Sequence, residues 1–190
     1  MLRISKAMVA AAAGLLLTMA PASAQLFGSA ALPRTDAEGR PQAVAIPRET
    51  VAYAGPFSPG TIIISTAERR MYYVLPGNQA VKYGVGVGRP GFEWSGTKFI
   101  SQKREWPDWT PPSQMLKRRP DLPRHMAGGV LNPLGARAMY LGSSLYRIHG
   151  SNEPDTIGQA VSSGCIRMTN EDVTDLFERA RIGTKVVVTR

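Results

Sequence analysis

Short apolar runs separated by turn-forming residues dominate the chain after residue 58, and they predict a strand-rich domain. Residues 61–66 are β-branched and apolar, and residues 71–75 form a second run after a hairpin-like connection at 67–70. Residues 81–87 alternate valine or tyrosine with lysine and glycine, which is the period of a strand with one buried face. The glycines on its other face suggest close backbone approach or bulges. Three further strands are predicted over residues 138–141, 145–149 and 186–188.

One helix is predicted before the last strand. Thr169 or Asn170 can cap it, and acidic residues follow in the first turn, where the helix dipole favours negative charge. Apolar residues at 173, 176, 177 and 180 have helical spacing, and Gly183 is the expected end. The predicted fold class is therefore mainly β with one or more short helices.

Residues 88–138 contain many turn formers and are predicted to be irregular. Loops of this length in a compact domain are usually functional or disordered, and Trp106 and Trp109 argue against disorder. The chain divides into three predicted regions: a signal peptide (1–24), a linker or N-terminal arm rich in proline (25–57), and the folded domain (58–190).

The N-terminus has the pattern of a secretory signal. Arg3 and Lys6 precede an apolar run over residues 7–20, and Ala22-Ser23-Ala24 is a small-x-small cleavage site. A membrane anchor is the alternative, but the run is shorter than the roughly 20 residues that a spanning helix needs. We therefore expect a secreted, periplasmic protein. Without Arg3 and Lys6 its net charge is +7, from 21 basic and 14 acidic residues, which suits anionic surroundings or serves solubility. Nucleic acid is not an expected partner, since the chain has no basic run with interleaved aromatics.

The only cysteine of the sequence, Cys165, focuses the search for chemistry. A lone cysteine in an exported protein is a buried apolar side chain, half of an intermolecular disulfide, or a reactive thiol. His149 precedes it by 16 positions, at the end of a predicted strand, and a returning loop can bring the two side chains together. An imidazole that takes the thiol proton gives a thiolate–imidazolium pair able to attack a carbonyl, which favours the reactive thiol.

The neighbouring residues offer the other groups that such a pair requires. A third group has to fix the imidazole tautomer, and both Ser151 Oγ and the Gly150 carbonyl are candidates. Ser163 and Gly164 allow a tight turn before the nucleophile. The N–H groups of Gly164 and Cys165, together with Ser163, are candidates to bind a developing oxyanion.

At these residues the chain resembles the L,D-transpeptidase catalytic domain of the YkuD type. The family signature is a His-Gly pair, a spacer, and Ser/Thr-His-Gly-Cys followed by an apolar residue and Arg or Asn. It corresponds here to His149-Gly150 and residues 162–167. The resemblance covers residues 58–190 and implies the family's β-sandwich-like fold. Three further motifs match: residues 132–135, Asn170-x-Asp172 and Gly183-Thr184.

The resemblance implies a reaction on peptidoglycan stem peptides. The Cys165 thiolate would attack the carbonyl of the L-centre of diaminopimelate in a tetrapeptide stem and release D-alanine, leaving a thioester. An amine of a second stem would give a 3→3 cross-link, an amine of an outer-membrane protein would anchor that protein, and water would give carboxypeptidase activity. No metal or organic cofactor is implied, and β-lactams of the carbapenem type are the expected inhibitors.

One position departs from the family pattern. Ser163 stands where the family usually has a histidine two residues before the cysteine. The histidine regarded as the base corresponds to His149, which is present. The resemblance therefore implies that activity is kept, and it leaves the rate and the donor preference open.

Substrate-binding residues are less clearly marked. Arg167 could hold a substrate carboxylate or form a salt bridge to Glu171 or Asp172. His125 lies in a loop rich in proline and arginine and is expected to be solvated. Two histidines and one cysteine at these spacings match no standard metal site. Three aromatic residues could line the peptide groove or serve packing: Trp106, Trp109 and Tyr140.

Two other functions remain open from the sequence. A cysteine peptidase or amidase of the cell wall would use the same pair, although papain-like enzymes place the cysteine before the histidine along the chain. The order alone is not decisive, because one constellation recurs in several chain orders. A non-catalytic wall-binding module that kept the fold is favoured only by Ser163.

Overall fold

A computed structural model describes residues 46–190. The predicted signal peptide (1–24) and most of the predicted linker (25–57) lie outside these residues. Within the described part, every helix is too short or too polar to cross a membrane.

Strands make up most of the regular structure of the described part. A single turn of 3₁₀ helix at Pro154–Thr156 adds to them. In chain order the elements are β1 (Glu49–Ala52), β2 (Ile62–Ser65), β3 (Arg70–Leu75), β4 (Gln79–Gly84), β5 (Val87–Gly88), β6 (Gly96–Glu105), α1 (Ser113–Arg118), β7 (Arg137–Leu141), β8 (Arg147–His149), β9 (Ala160–Ser162), β10 (Ile166–Arg167), α2 (Asn170–Arg179) and β11 (Lys185–Thr189).

Nine of these strands form one sheet, in the order β1-β4-β3-β2-β11-β6-β7-β8-β10. Most neighbours are antiparallel, whereas β11 is parallel to β2 and β10 is parallel to β8. The parallel pair β5 and β9 forms a separate small sheet. Because β8 and β10 are parallel, the chain must leave the sheet after β8 and return, and the residues between them form the loop before Cys165.

The sheet curls around a single hydrophobic core, which explains its sandwich-like character. Apolar side chains from both halves of the strand order meet in this core, and α2 contributes the inner face of the helix. The mainly β, sandwich-like fold predicted from the sequence is confirmed. Core residues include Ile62, Met71 and Tyr83 from one half, Met139, Ile148 and Ile166 from the other, and Val173, Leu176 and Phe177 from α2.

Helix α2 begins as predicted but ends earlier. The Thr169 side chain caps it by accepting a hydrogen bond from the Asp172 N–H at 3.1 Å. The last helical residue is Arg179, not a residue next to Gly183, because Ala180 turns to an extended conformation. The Lys103 ammonium satisfies the carbonyl ends by donating to Phe177 and Ala180.

The prediction that residues 88–138 are irregular is wrong in part, because they contain the ten-residue strand β6 and the short helix α1. Strand β6 escaped recognition because only Ile100 of its residues is buried. It is stabilised instead by backbone pairing with β11 on one side and β7 on the other. A strand at Glu49–Ala52, inside the predicted linker, also pairs with β4.

The alternating segment 81–87 is not one strand. Strand β4 ends at Gly84, and the chain then crosses to pair β5 with β9. Gly86 permits this crossing because an added Cβ would lie 2.8 Å from the Thr156 carbonyl oxygen, which agrees with the predicted close backbone approach. The crossing brings residues 87–92 against the turn that contains Cys165.

Candidate active site

Strands β8 and β10 bring the predicted nucleophile and base to one cavity. The register pairs Ile166 with Ile148 and Arg167 with His149, so Cys165 stands immediately before β10, on the side where β8 begins at Arg147. Ile148 and Ile166 point into the core, and strand alternation turns Cys165 and His149 to the opposite face. Both residues line an open cavity of about 750 Å³.

The His149 imidazole is buried, with 4% of the residue exposed. Its Nδ1 lies 2.6 Å from the Gly150 carbonyl oxygen. Because a carbonyl oxygen can only accept, Nδ1 carries the proton and Nε2 keeps its lone pair. The backbone therefore sets the tautomer. Ser151 Oγ, the other candidate, instead accepts the Glu153 N–H at 2.9 Å.

Burial lowers the pKa of His149 from 6.5 to about 3, and the positive charges of Arg167 and Arg147 act in the same direction. The hydrogen bond to Gly150 opposes this shift without overcoming it. The imidazole of the free protein is therefore neutral at physiological pH. A neutral imidazole is the form that can take the thiol proton, and its lowered pKa makes it a weaker base than a solvated histidine.

The low pKa of His149 has a consequence for stability. Below pH 6.5 the unfolded state takes up a proton that native His149 refuses, so acidification lowers the free energy of unfolding until the pH approaches 3. This group alone is expected to cost about 2 kcal/mol at pH 5 relative to pH 8. In His149→Gln that part of the loss should disappear, as measured by urea unfolding at several pH values.

His125 provides the matched control for this measurement. It is the other histidine of the chain, is exposed, and lies 3.5 Å from Asp108. His125→Gln replaces a histidine that is not part of the described cavity lining, and its unfolding curves are the reference for those of His149→Gln. Parallel curves for wild type and His149→Gln between pH 5 and 8 would show that His149 is not held neutral in the native state.

Close packing against α2 orients the residues that follow His149. The Asn170 Oδ1 atom accepts the Ala136 N–H at 2.9 Å, and a Cβ at Gly150 would collide with the same oxygen. Only glycine therefore fits beside Asn170 at this position. The contact holds the Gly150 carbonyl, and through it the imidazole.

A hydroxyl braces the turn that carries the nucleophile. Ser162 Oγ accepts the Gly164 N–H at 3.0 Å and donates to the Cys165 carbonyl at 2.6 Å. The N–H of Gly164 is thus already used, which argues against its predicted role at an oxyanion. The N–H groups of Ser163 and Cys165 form no hydrogen bond within residues 46–190, so they are the remaining backbone donors.

Two stacked aromatic rings support the same turn from outside. Trp94 and Tyr146 stack with centroids 4.6 Å apart, and Trp94 Nε1 donates to the Gly164 carbonyl at 2.8 Å. Gly164 has φ +105°, and a Cβ there would lie 2.6 Å from the Tyr146 ring. The Cys165 thiol is half-buried, and its Sγ lies 3.7 Å from the Leu145 carbonyl oxygen.

The other predicted site residues are distributed unevenly around the cavity. Trp109 and Arg167 line it, and the Arg167 guanidinium binds Glu153 at 2.9 Å rather than Glu171 or Asp172. Trp106 and Tyr140 are not part of the described lining. Strand alternation explains Tyr140, because its neighbours at 139 and 141 point into the core and its ring instead lies under the Arg147 guanidinium.

Several contributors to the site carry no recognisable signal in the sequence. Trp94 and Tyr146 hold the nucleophile turn, and Arg89 donates to Ser163 Oγ at 3.2 Å. They come from segments far from Cys165 along the chain, and only the fold brings them together. Of the residues that support this turn, Ser162 alone was recognisable from the sequence, because it belongs to the matched motif at residues 162–167.

Comparison with known proteins places this geometry in a family. The model of the YkuD family, described as the L,D-transpeptidase catalytic domain, matches residues 59–188. The chain belongs to that family. Within the matched residues, His149 and Cys165 line the cavity described above.

Individual relatives give the same picture, although the chain spans under half of one curated relative's length. "Probable L,D-transpeptidase ErfK/SrfK" of Escherichia coli strain K12 is 38% identical over 136 residues, which are 67% of this chain and 43% of that protein. L,D-transpeptidase 3 of Mycobacterium tuberculosis, solved in complex with a faropenem-derived adduct, has a TM-score of 0.56 at 17% identity. The match covers 68% of this chain and 60% of that one, and at this identity it shows the fold alone.

A second solved structure carries a different description. A Brucella melitensis protein described as a probable carnitine operon oxidoreductase is 45% identical, with a TM-score of 0.51 over 76% of this chain and 94% of that chain. Its description names another class of enzyme. The matched family model and the E. coli relative agree with each other and with the thiol–imidazole site.

Proposed function

We propose that the chain is a periplasmic L,D-transpeptidase that works through a thioester on Cys165. The observation that supports this most directly is the shared cavity of Cys165 and His149, in which the Gly150 carbonyl leaves Nε2 of the neutral imidazole free. A base in this state can take the thiol proton as the sulfur attacks a peptide carbonyl.

The proposed first half-reaction uses the residues around the turn. The thiol proton passes to Nε2 of His149 while sulfur bonds to the donor carbonyl carbon. The oxyanion that forms is bound by the N–H of Cys165, with Ser163 as second donor. When the tetrahedral intermediate collapses, the C–N bond breaks and the imidazolium returns the proton to the departing D-alanine amine.

The second half-reaction reverses these proton transfers. An acceptor amine attacks the thioester and loses a proton to His149, and that proton returns to sulfur as the C–S bond breaks. A stem-peptide amine gives a 3→3 cross-link, and an amine of an outer-membrane protein would attach that protein to the wall. The predicted signal peptide and the cell-wall substrate support a periplasmic location. Trp109 and Arg167 are proposed to contact the donor.

The proposal is tested by incubating the purified protein with disaccharide-tetrapeptide and analysing the products by mass spectrometry. We expect disaccharide-peptide dimers together with one D-alanine for each bond formed. Release of D-alanine with only tripeptide product would show transfer to water, that is, carboxypeptidase activity. Unchanged substrate in the presence of folded protein would contradict the proposal and favour a wall-binding module.

A further inference from the structure

The cavity is strongly cationic for its size. Its lining holds five arginines and one acidic residue, Glu153. Two of the arginines have carboxylate partners, since Arg119 binds Asp121 at 2.7 Å and Arg167 binds Glu153 at 2.9 Å. The five arginines are Arg89, Arg118, Arg119, Arg147 and Arg167.

Two of the remaining arginines converge on one aromatic ring. The guanidinium of Arg89 lies 4.1 Å from the centroid of the Phe92 ring, and that of Arg118 lies 5.2 Å from it. Neither forms a salt bridge with an acidic side chain among residues 46–190. Stacking orients both guanidinium groups without neutralising them, so each keeps donors for an external anion.

Arg89 is fixed next to the nucleophile turn by its backbone as well as its side chain. Its N–H donates to the Ser162 carbonyl at 3.0 Å, and its guanidinium donates to Ser163 Oγ at 3.2 Å. Ser163 is two residues from Cys165, and two residues span at most about 7 Å. The charge of Arg89 is therefore held beside the turn that carries Cys165, and both side chains line the same cavity.

We propose that Arg89, assisted by Arg118, binds the free terminal carboxylate of the residue that leaves in the first half-reaction. The inference rests on the proposed function, and it names Arg89 as the side chain that selects the donor peptide. A leaving residue at the end of a peptide presents its carboxylate one residue beyond the scissile carbonyl, and Arg89 is an arginine of the lining that contacts the nucleophile turn without a carboxylate partner among residues 46–190. A guanidinium binds a carboxylate through paired, charge-assisted hydrogen bonds. The site would therefore select donors whose scissile bond precedes the last residue.

Three donor peptides distinguish this carboxylate from the other one that a diaminopimelate stem carries. The first is the unmodified tetrapeptide, the second has a terminal amide, and the third has an amide on the diaminopimelate side-chain carboxyl. Initial rates of release of the terminal residue give kcat/KM for each. The wild-type protein should prefer the first donor over the second by about 10- to 100-fold, the range expected for charge-assisted hydrogen bonds.

Arg89→Gln should lower kcat/KM for the unmodified donor by the same factor, about 10- to 100-fold. It should leave kcat/KM for the donor with the terminal amide unchanged, so that the preference disappears. Arg89→Lys should recover part of the preference, since it keeps the charge without the planar fork. Arg119→Gln is the matched control, because that arginine also lines the cavity but is bound to Asp121. It should keep the wild-type preference.

The rate of Cys165 alkylation by neutral iodoacetamide checks that the thiol itself is unaltered in each variant. An Arg89→Gln protein that alkylates normally and keeps its preference for the free terminal carboxylate would overturn the inference while the proposed function stands. If Arg89→Gln instead loses only the preference over the donor amidated on the diaminopimelate side chain, Arg89 binds the side-chain carboxylate. That result would also overturn the inference. A wild-type protein that releases nothing from any donor would instead contradict the proposed function.

Discussion

Cys165→Ala is expected to abolish both the formation of peptide dimers and the release of D-alanine. Without sulfur no thioester can form, and loss of a catalytic nucleophile typically lowers turnover by roughly 10⁴-fold or more. Covalent capture of a carbapenem should disappear with it. The wild-type protein should gain the mass of one β-lactam, and the variant should gain none, as measured by intact-protein mass spectrometry.

The fold of this variant should be retained, which makes the result interpretable. The thiol is only half-buried, and its one hydrogen bond to residues 46–190 is a long one of 3.7 Å to the Leu145 carbonyl, so its removal leaves little unsatisfied. A circular dichroism spectrum of Cys165→Ala that matches the wild-type spectrum, with a similar Tm, would establish that the fold is retained. Equal dimer yields from wild type and Cys165→Ala would remove Cys165 from the reaction.

His149→Gln is expected to lower kcat by about 10²- to 10⁴-fold, the contribution usual for a general base. Glutamine is similar in size and can still donate to the Gly150 carbonyl, but it has no lone pair that takes up a proton. Steady-state release of D-alanine measures the effect. His125→Gln, which changes an exposed histidine, should have wild-type kcat.

The pH dependence of the wild-type rate tests the same assignment. A general base works in its neutral form, and the pKa of His149 is lowered to about 3 by burial. Titration of His149 should therefore cause no fall in kcat/KM between pH 8 and pH 5. An acidic limb with a midpoint near 6.5 would show that the imidazole is exposed to solvent protons in the free enzyme.

Ser163 occupies the position where the family usually has a histidine, and the Arg89 guanidinium supplies the positive charge there. An imidazole there would gain or lose charge near neutral pH, whereas a guanidinium remains protonated throughout. Arg89 reaches Ser163 Oγ at 3.2 Å and so places a permanent positive charge beside the turn. The site is therefore cationic with His149 as the one histidine of the described lining.

Residue patterns alone were sufficient for several features of this protein. The helix capped at Thr169 or Asn170 and the strands ending at His149 and near the C-terminus followed from local periodicity, and the family followed from the signature around His149 and Cys165 with three further motifs. These features depend on the backbone preferences of residues that are adjacent in the sequence, so a local pattern is enough to predict them. The long polar strand β6 was missed because pairing on both edges, rather than burial of one face, stabilises it.

The chemical state of the site was decided by tertiary structure. Sequence could name Cys165 and His149 but left Gly150 and Ser151 as equal candidates for orienting the imidazole. Burial set the pKa of His149, and α2, packed against Gly150, set the position of the carbonyl. Arg89 and Trp94 reach the nucleophile turn through long-range sheet pairing. Desolvation and contacts between distant segments depend on the folded arrangement, so no local pattern encodes them.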